Sequence, residues 1–262
     1  MNTDLTGKRA LVCGSTQGIG KAIALELASL GAAITLIARN EEKLKAVQAE
    51  LSTSARQEHH YVSADFNKPE ELKEALTNYL KDIDKVDILV NNSGGPSAAP
   101  AIEADITEYR IAFNRHVVCN HLLTQAIVPL MKKGGYGRII NIISTSVKEP
   151  IPGLGVSNTI RGAVANWAKT LSREVGPFGI TVNNILPGST STQRIYDLIE
   201  NRAKQQNKTP KEIEENMKSQ IPLRRFADPA ETAYAVAFLA SPAAAYISGV
   251  NLAVDGGRLG CG

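Results

Sequence analysis

Short apolar runs alternate along the chain with longer stretches in which apolar residues return every three or four positions. Arg9–Cys13 is such a run and predicts a buried strand. From Gly18 to Leu30, residues Ile19, Ile23, Leu27 and Leu30 share one helical face. The same alternation predicts strands at Ala33–Ala38, His60–Ser63, Val86–Val90, Gly137–Ser144, Gly179–Leu186 and Val250–Val254. Between them it predicts helices at Glu41–Ser52, Pro69–Lys81, Ile102–Lys133 and Val156–Val175. A last helix, Asp228–Ala240, opens on Asp-Pro, a good start signal.

Strands that are apolar throughout, each followed by a helix, need cover on both faces. They imply an α/β fold with a doubly wound, seven-stranded parallel sheet between helices. No repeat, low-complexity tract or linker divides the chain, so residues 1–262 are expected to form one domain. One segment breaks the rhythm. Ser191–Gln220 is polar and charged where a short loop would suffice, and a substrate lid is expected at about 189–222. Its mixed charges (Arg194, Arg202, Lys204, Lys208, Lys211 and Lys218 against Asp197, Glu200, Glu212, Glu214 and Glu215) read equally as a solvated helix face.

Composition narrows the class. Hydrophobic residues are 43% and charged residues 21% of 262, which excludes disordered, collagenous and coiled-coil chains. A net charge of +3 is far from the footprint of a nucleic-acid binder. No apolar run reaches the about 18 residues of a membrane span, so no membrane partner is expected. The N-terminus is polar and lacks a secretory core. Cys13, Cys119 and Cys261 are scattered and odd in number, which argues against a disulfide framework and a paired-cysteine zinc site, and for a cytoplasmic location. No metal is implied, because the adjacent His59 and His60 would alternate faces on a strand.

The chemistry starts where the first strand ends. Gly14-Ser15-Thr16-Gln17-Gly18-Ile19-Gly20 runs directly into a helix. Glycines let backbone approach a pyrophosphate, and a helix N-terminus offers free N–H groups and the positive end of its dipole. The pattern is G-x-x-x-G-x-G rather than G-x-G-x-x-G, and a tight turn with close helix packing would use the same glycines. The second strand ends at Arg39, where an acid would bind the ribose hydroxyls of NAD(H). Arginine pairs with a 2′-phosphate instead, which favours NADP(H) over NAD(H).

Taken together, these signatures resemble the short-chain dehydrogenase/reductase family over nearly the whole chain. The resemblance rests on Gly14-x-x-x-Gly18-Ile19-Gly20, Asp65, Asn91-Asn92-Ser93-Gly94, Gly137 to Ser144, Pro187-Gly188 and Val254-Asp255-Gly256-Gly257, in order and at family spacing. Pro222 to Pro229 is similar to the segment after the lid in 3-oxoacyl-[acyl-carrier-protein] reductases. The resemblance implies a Rossmann-like fold and a residue-by-residue cofactor site. Gly14, Ser15, Gln17, Gly18, Ile19 and Gly20 would hold the pyrophosphate. Asp65 and Phe66 would meet the adenine, and Asn91, Ser93 and Gly94 would line the adenosine side. Pro187, Gly188 and Thr190 or Thr192 would hold the nicotinamide, and Ser144 would bond the substrate oxygen.

The resemblance fails at the catalytic helix. The family carries Tyr-x-x-x-Lys there, and at that spacing from Ser144 this chain has Ser157 and Arg161. None of the 7 tyrosines has lysine four residues on. The family's asparagine in the preceding long helix is matched by His116. Serine is a poor general acid. Arginine keeps a charge and donors for ribose hydroxyls but does not readily release a proton. His116 is a candidate proton relay with Ser144 and Ser157, because imidazole titrates near neutral pH. It could equally pack as a structural stand-in for asparagine.

Three functions stay open. The first is an NADP(H)-dependent oxidoreductase acting on a carbonyl/alcohol pair, 3-oxoacyl reductase-like. The second is a nucleotide-binding protein of the same fold without turnover. The third is a lyase or dehydratase in the same cleft. Fold alone does not choose among them. The resemblance also implies a homodimer or homotetramer built through Ile102–Lys133 and Val156–Val175.

Overall fold

The structure is a computed structural model. It describes residues 1–260, so Cys261 lies outside the described residues. Its centre is a seven-stranded sheet of β1 (Arg9–Cys13), β2 (Ala33–Ala38), β3 (His60–Ser63), β4 (Ile88–Asn91), β5 (Gly137–Ile142), β6 (Ile180–Pro187) and β7 (Asn251–Val254), in the order β3-β2-β1-β4-β5-β6-β7. Every neighbouring pair is parallel. The chain begins in the middle, works outward to β3, then returns across β1 to β4 and continues to β7. The order reverses between β1 and β4, and the diverging loops at their carboxyl ends open a crevice.

The inner strands are buried along their length because helices cover both faces. On one face lie α1 (Gly18–Ser29) and α9 (Pro229–Ala240), with Ile23, Leu27, Val236 and Ala237 meeting Leu36, Val90 and Ile140. On the other lie α3 (Pro69–Tyr79), α5 (Cys119–Gly134) and α6 (Gly155–Val175), with Leu72, Leu123, Ile127 and Ala168 meeting Leu11, Leu89 and Val182. The short α2 (Glu41–Glu50) follows β2, and its first turn is capped by the Asn40 side chain, which accepts from Lys43 N at 2.8 Å. Asp228 and Glu231 close a capping box at α9, and Arg225 grips Glu231 through both guanidinium nitrogens. His59 is buried between elements: its Nδ1 accepts from Ile34 N at 3.0 Å, and its Nε2 lies 2.8 Å from Ser52 O.

Two expectations need correction. The helix predicted at Ile102–Lys133 begins at Ile106, where Asp105 caps it. It is also not continuous: α4 (Ile106–Phe113) passes through a π-helical turn at Asn114–Val118 before α5 begins. A π turn fits one extra residue into the spiral, which apolar spacing alone does not reveal, and such turns favour functional positions. The polar segment after β6 is also more ordered than its charges suggest. It forms α7 (Gln193–Gln206) and α8 (Pro210–Ser219), which share a small core of Ile199, Ala203, Ile213, Met217, Ile221 and Phe226. The signal was present in the four-residue spacing of Ile199 with Ala203 and of Ile213 with Met217. It was also present in the Thr209/Glu212 capping box.

Candidate active site

β1 ends in the glycine-rich loop, and the loop's glycines are forced by contact. Gly14 has φ +59°, and a Cβ there would lie 2.8 Å from the Asn92 side chain and carbonyl. A Cβ on Gly20 would lie within bonding distance of Gly14 O. Gly18 has φ +55°, and the Thr192 methyl sits beside it. Gln17 stands at the helix start without a side-chain cap, so the first N–H groups of α1 face the crevice unspent. The Ser15 hydroxyl is buried with no partner. A loop with unspent donors and no room for side chains fits a bound phosphate. Ile19 packs beside the α1 core and does not line the cavity.

From this loop a cavity of 360 Å³ opens along the carboxyl ends of β1 to β4. Gly14, Gln17, Arg39, Asp65, Phe66, Ser93 and Gly94 line it, as expected from the sequence. So do Thr16, Asn40, Lys43, Asn67, Asn92 and Arg115, which sequence reasoning missed. Arg39 and Lys43 put two positive charges at its β2 end, and Asp65 is the one acid on its wall. Asp65 Oδ1 accepts from the Asn67 backbone at 2.9 Å, Asn67 Oδ1 accepts from Arg115 Nε at 3.1 Å, and Arg115 Nη1 donates to Gly94 O at 3.1 Å. Asn92 Nδ2 donates to Cys13 O at 3.2 Å and Gly14 O at 3.3 Å, tying the β4 loop to the glycine loop.

Asn91 is different from its neighbours. It is buried, and its amide donates to Asn141 Oδ1 at 2.9 Å. Asn141 donates in turn to Asn184 and Asn184 to Asn251, each at 2.8 Å. The four residues are in direct register across β4 to β7. The Asn91 amide is therefore committed to a polar ladder in the sheet while its Oδ1 is buried without a partner, and Asn92 is the asparagine of this turn that faces the cavity.

The catalytic candidates come from three elements that pack together: the π turn, the loop after β5 and α6. Ser144 lies two residues beyond β5 and caps a short 3-10 turn, with its Oγ accepting from Ser146 N at 3.1 Å. Ser157 and Arg161 are one turn apart on the buried face of α6. Arg161 Nη1 donates to Ile142 O at 2.9 Å, two residues before Ser144. Burial, with Arg194 and Arg115 nearby, lowers the Arg161 guanidinium to about 10, which leaves it charged at neutral pH. His116 lies in the π turn, 2% exposed, with Nδ1 2.8 Å from Ser93 Oγ and no partner at Nε2. Burial first, then Arg161 and Arg115, hold its pKa well below the usual 6.5 despite the opposing Gly94 backbone. The imidazole is therefore neutral at pH 7 and does not act as a preformed cationic acid.

At the β6 end, Gly188 N donates to Val254 O at 2.9 Å, and a Cβ there would meet the Asp255 backbone at 2.8 Å. Pro187 closes β6. Thr190 is buried and bonds Gly188 O, and Thr192 bonds Thr190 O. These residues place the start of α7 over Gly18. Arg194 reaches across from α7 to Gly95 O at 3.2 Å and Pro96 O at 3.0 Å. Among the described residues no cluster of three or more His, Cys, Asp or Glu side chains could hold a metal ion. No helix among them is long and apolar enough to cross a membrane.

A parallel sheet reversing at β1/β4, with a glycine-lined crevice at its carboxyl edge, is a Rossmann-like α/β architecture. Residues 14–258 match the family described as Enoyl-(Acyl carrier protein) reductase. The chain is 30% identical over 256 residues to the NADPH-dependent reductase BacG of Bacillus subtilis (strain 168), covering 97% of this chain and 99% of that one. It is 32% identical over 257 residues to the 3-oxoacyl-[acyl-carrier-protein] reductase FabG of Aquifex aeolicus, covering 98% and 99%. Among solved structures, L-sorbose reductase from Gluconobacter frateurii complexed with NADPH and L-sorbose superposes with a TM-score of 0.92 at 30% identity over 100% of both chains. The chain belongs to the short-chain dehydrogenase/reductase family, whose members named here are oxidoreductases.

Proposed function

We propose that the protein is an NADP(H)-dependent oxidoreductase that moves a hydride between the nicotinamide and a carbonyl/alcohol substrate. The observation that carries this reading is the crevice itself: unspent α1 donors and the unpartnered Ser15 hydroxyl at one end, Arg39 and Lys43 at the other. The α1 end suits a pyrophosphate, and the paired cations suit a 2′-phosphate better than bare ribose hydroxyls. Similarity to an NADPH-dependent reductase and to an NADPH-bound sorbose reductase supports the same choice.

When bound, NADPH supplies the hydride from C4 of its nicotinamide. The chain's own residues then have distinct tasks. Gly14, Ser15, Gln17, Gly18, Ile19 and Gly20 form the phosphate turn. Asp65, Phe66, Ser93 and Gly94 line the adenosine side, with Asn91 fixing the turn from inside the sheet. Pro187, Gly188, Thr190 and Thr192 frame the nicotinamide end, and the helices at 193–219 act as the lid. Ser144 donates a hydrogen bond to the substrate oxygen, and Ser157 supplies a second hydroxyl. Arg161 holds ribose hydroxyls and puts positive charge where the substrate oxygen gains electron density. His116, neutral and bonded to Ser93, passes a proton between solvent and the serines rather than donating one as imidazolium.

A second reading, a nucleotide-binding protein without turnover, is favoured by Ser157 and Arg161, because neither is a good proton donor. A lyase or dehydratase would use the same cleft. NADPH absorbance followed against ketones and aldehydes, with NADPH binding by calorimetry in parallel, separates these readings. Oxidation supports the first and tight binding without oxidation the second, while no affinity for NADPH removes the cofactor assignment. We further propose a cytoplasmic homodimer or homotetramer that pairs through the helices at 106–134 and 155–175.

A further inference from the structure

Three arginines from three elements converge on the inner end of the cleft. Arg161 comes from α6, Arg115 from the π turn and Arg194 from the first turn of α7. Arg115 and Arg194 grip the carbonyls of three consecutive residues, Gly94, Gly95 and Pro96. Arg194 lies directly against Gly95, where a Cβ would be 2.8 Å from its guanidinium. Arg161 is 8% exposed, and one carbonyl, Ile142 O, is its hydrogen-bond partner among the described residues. None of the three makes an ion pair among the described residues. The acids around them are otherwise engaged: Asp65 accepts from Asn67, which in turn accepts from Arg115, Asp197 accepts from Gln193 at 2.9 Å, and Glu108 lines an outer recess of 160 Å³ with Arg115, Gly95 and Pro96. The side chain beside them, His116, is no anion either, and its Nε2 is buried without a partner.

Arg161 is buried, Arg115 half-buried and Arg194 exposed. A buried cation without a counter-ion is costly, and one backbone carbonyl compensates Arg161 only in part. The proposed cofactor does not account for these arginines. Its pyrophosphate is met by the α1 N-terminus and its 2′-phosphate by Arg39 and Lys43, at other points of the cavity. The ribose hydroxyls near Arg161 need donors and carry no charge.

We propose that the substrate of this cleft is anionic, an oxo acid whose carboxylate sits among Arg161, Arg194 and Arg115 while its carbonyl reaches Ser144. This rests on the oxidoreductase reading above. Arg194 belongs to the lid helix, so a carboxylate that replaces its Gly95 and Pro96 carbonyls draws α7 onto the substrate. A planar carboxylate suits a guanidinium fork and excludes neutral sugars or steroids of similar size.

The test uses 2-, 3- and 4-oxo acids of matched length beside their methyl esters, with the wild-type protein and Arg194→Gln. Two readouts are taken: NADPH oxidation, and calorimetric binding of each compound to the protein saturated with NADP+. At least one acid should exceed its ester tenfold or more in kcat/KM and in affinity. Arg194→Gln should lower the acid's kcat/KM and affinity tenfold or more and so erase that preference, with a smaller change for the ester. Equal behaviour of acids and esters overturns the proposal. So does a variant that weakens NADPH and not the acids, since the arginines would then serve the cofactor's own phosphates. Acid-selective binding to the NADP+ complex without oxidation of any compound supports the anion site while overturning the oxidoreductase reading. Absence of acid binding alongside ester oxidation does the reverse.

Discussion

Gly20 shows how much one carbon decides. A methyl there would collide with the Gly14 carbonyl, which itself is held by the Asn92 amide. Gly20→Ala is expected to push β1 and α1 apart and to weaken NADPH binding by at least about a hundredfold, measured by calorimetry. Arg39→Ala should raise the KM for NADPH about tenfold and leave that for NADH unchanged, because one charge-assisted hydrogen bond is worth roughly 1.5–3 kcal/mol. His116 carries two predictions. If it relays a proton, His116→Ala lowers kcat about tenfold or more, and an unchanged rate removes the relay. Its stability effect has a definite sign. The folded imidazole is held well below 6.5, so the unfolded chain takes up a proton first as the pH falls. Stability from this group is present above about 6.5 and is lost as the pH falls further, and His116→Asn should flatten that part of a urea-melt pH profile. At this scale the sequence was readable where local spacing decides a residue's place, as it puts Gly14, Gln17 and Arg39 on the cavity wall. Arg115 and Lys43 escaped because their roles depend on which loops the sheet brings together.

Among elements, the asparagine ladder across β4 to β7 includes β5, the strand that leads into Ser144. Each amide in it donates to the next, so removing a middle member leaves buried polar atoms on both sides unpaired. Asn141→Ala is expected to cost about 2 kcal/mol or more of unfolding free energy in urea, because each buried polar group left without a partner costs roughly 1–3 kcal/mol. All four asparagines are visible in the sequence, yet nothing local says that they stand in register. The π turn was hidden for a related reason: apolar periodicity tolerates one extra residue, and here that residue brings Arg115 and His116 to the cleft. The strands and most helices were legible because burial on two faces, or on one stripe, writes a period into the chain. The helices α7 and α8 were obscured because their apolar stripe is only a few residues among many charges.

For the molecule as a whole, the order β3-β2-β1-β4-β5-β6-β7 sets the β1/β4 switch point, and Gly14, Gln17, Arg39, Asp65, Phe66, Ser93 and Gly94 line the cavity that opens there. The seven strands and the parallel alternation could be read from the chain, and motif order supplied the family, whereas shape complementarity between copies leaves no comparable trace. Phe113 is 45% exposed and Ile106 62% exposed on α4. Light scattering should give two or four times 28.1 kDa, and Phe113→Glu should shift the protein towards that single-chain mass.

The most direct measurement of the central claim is a single turnover with NADPH carrying deuterium at C4, the protein in excess, and the oxo-acid and ester series as acceptors. Mass spectrometry of the products reads the transfer. The account predicts at least one alcohol heavier by the single deuterium, formed at a rate that falls about tenfold or more in Ser144→Ala. Full retention of the label on protein-bound NADPH, across every acceptor, would contradict it.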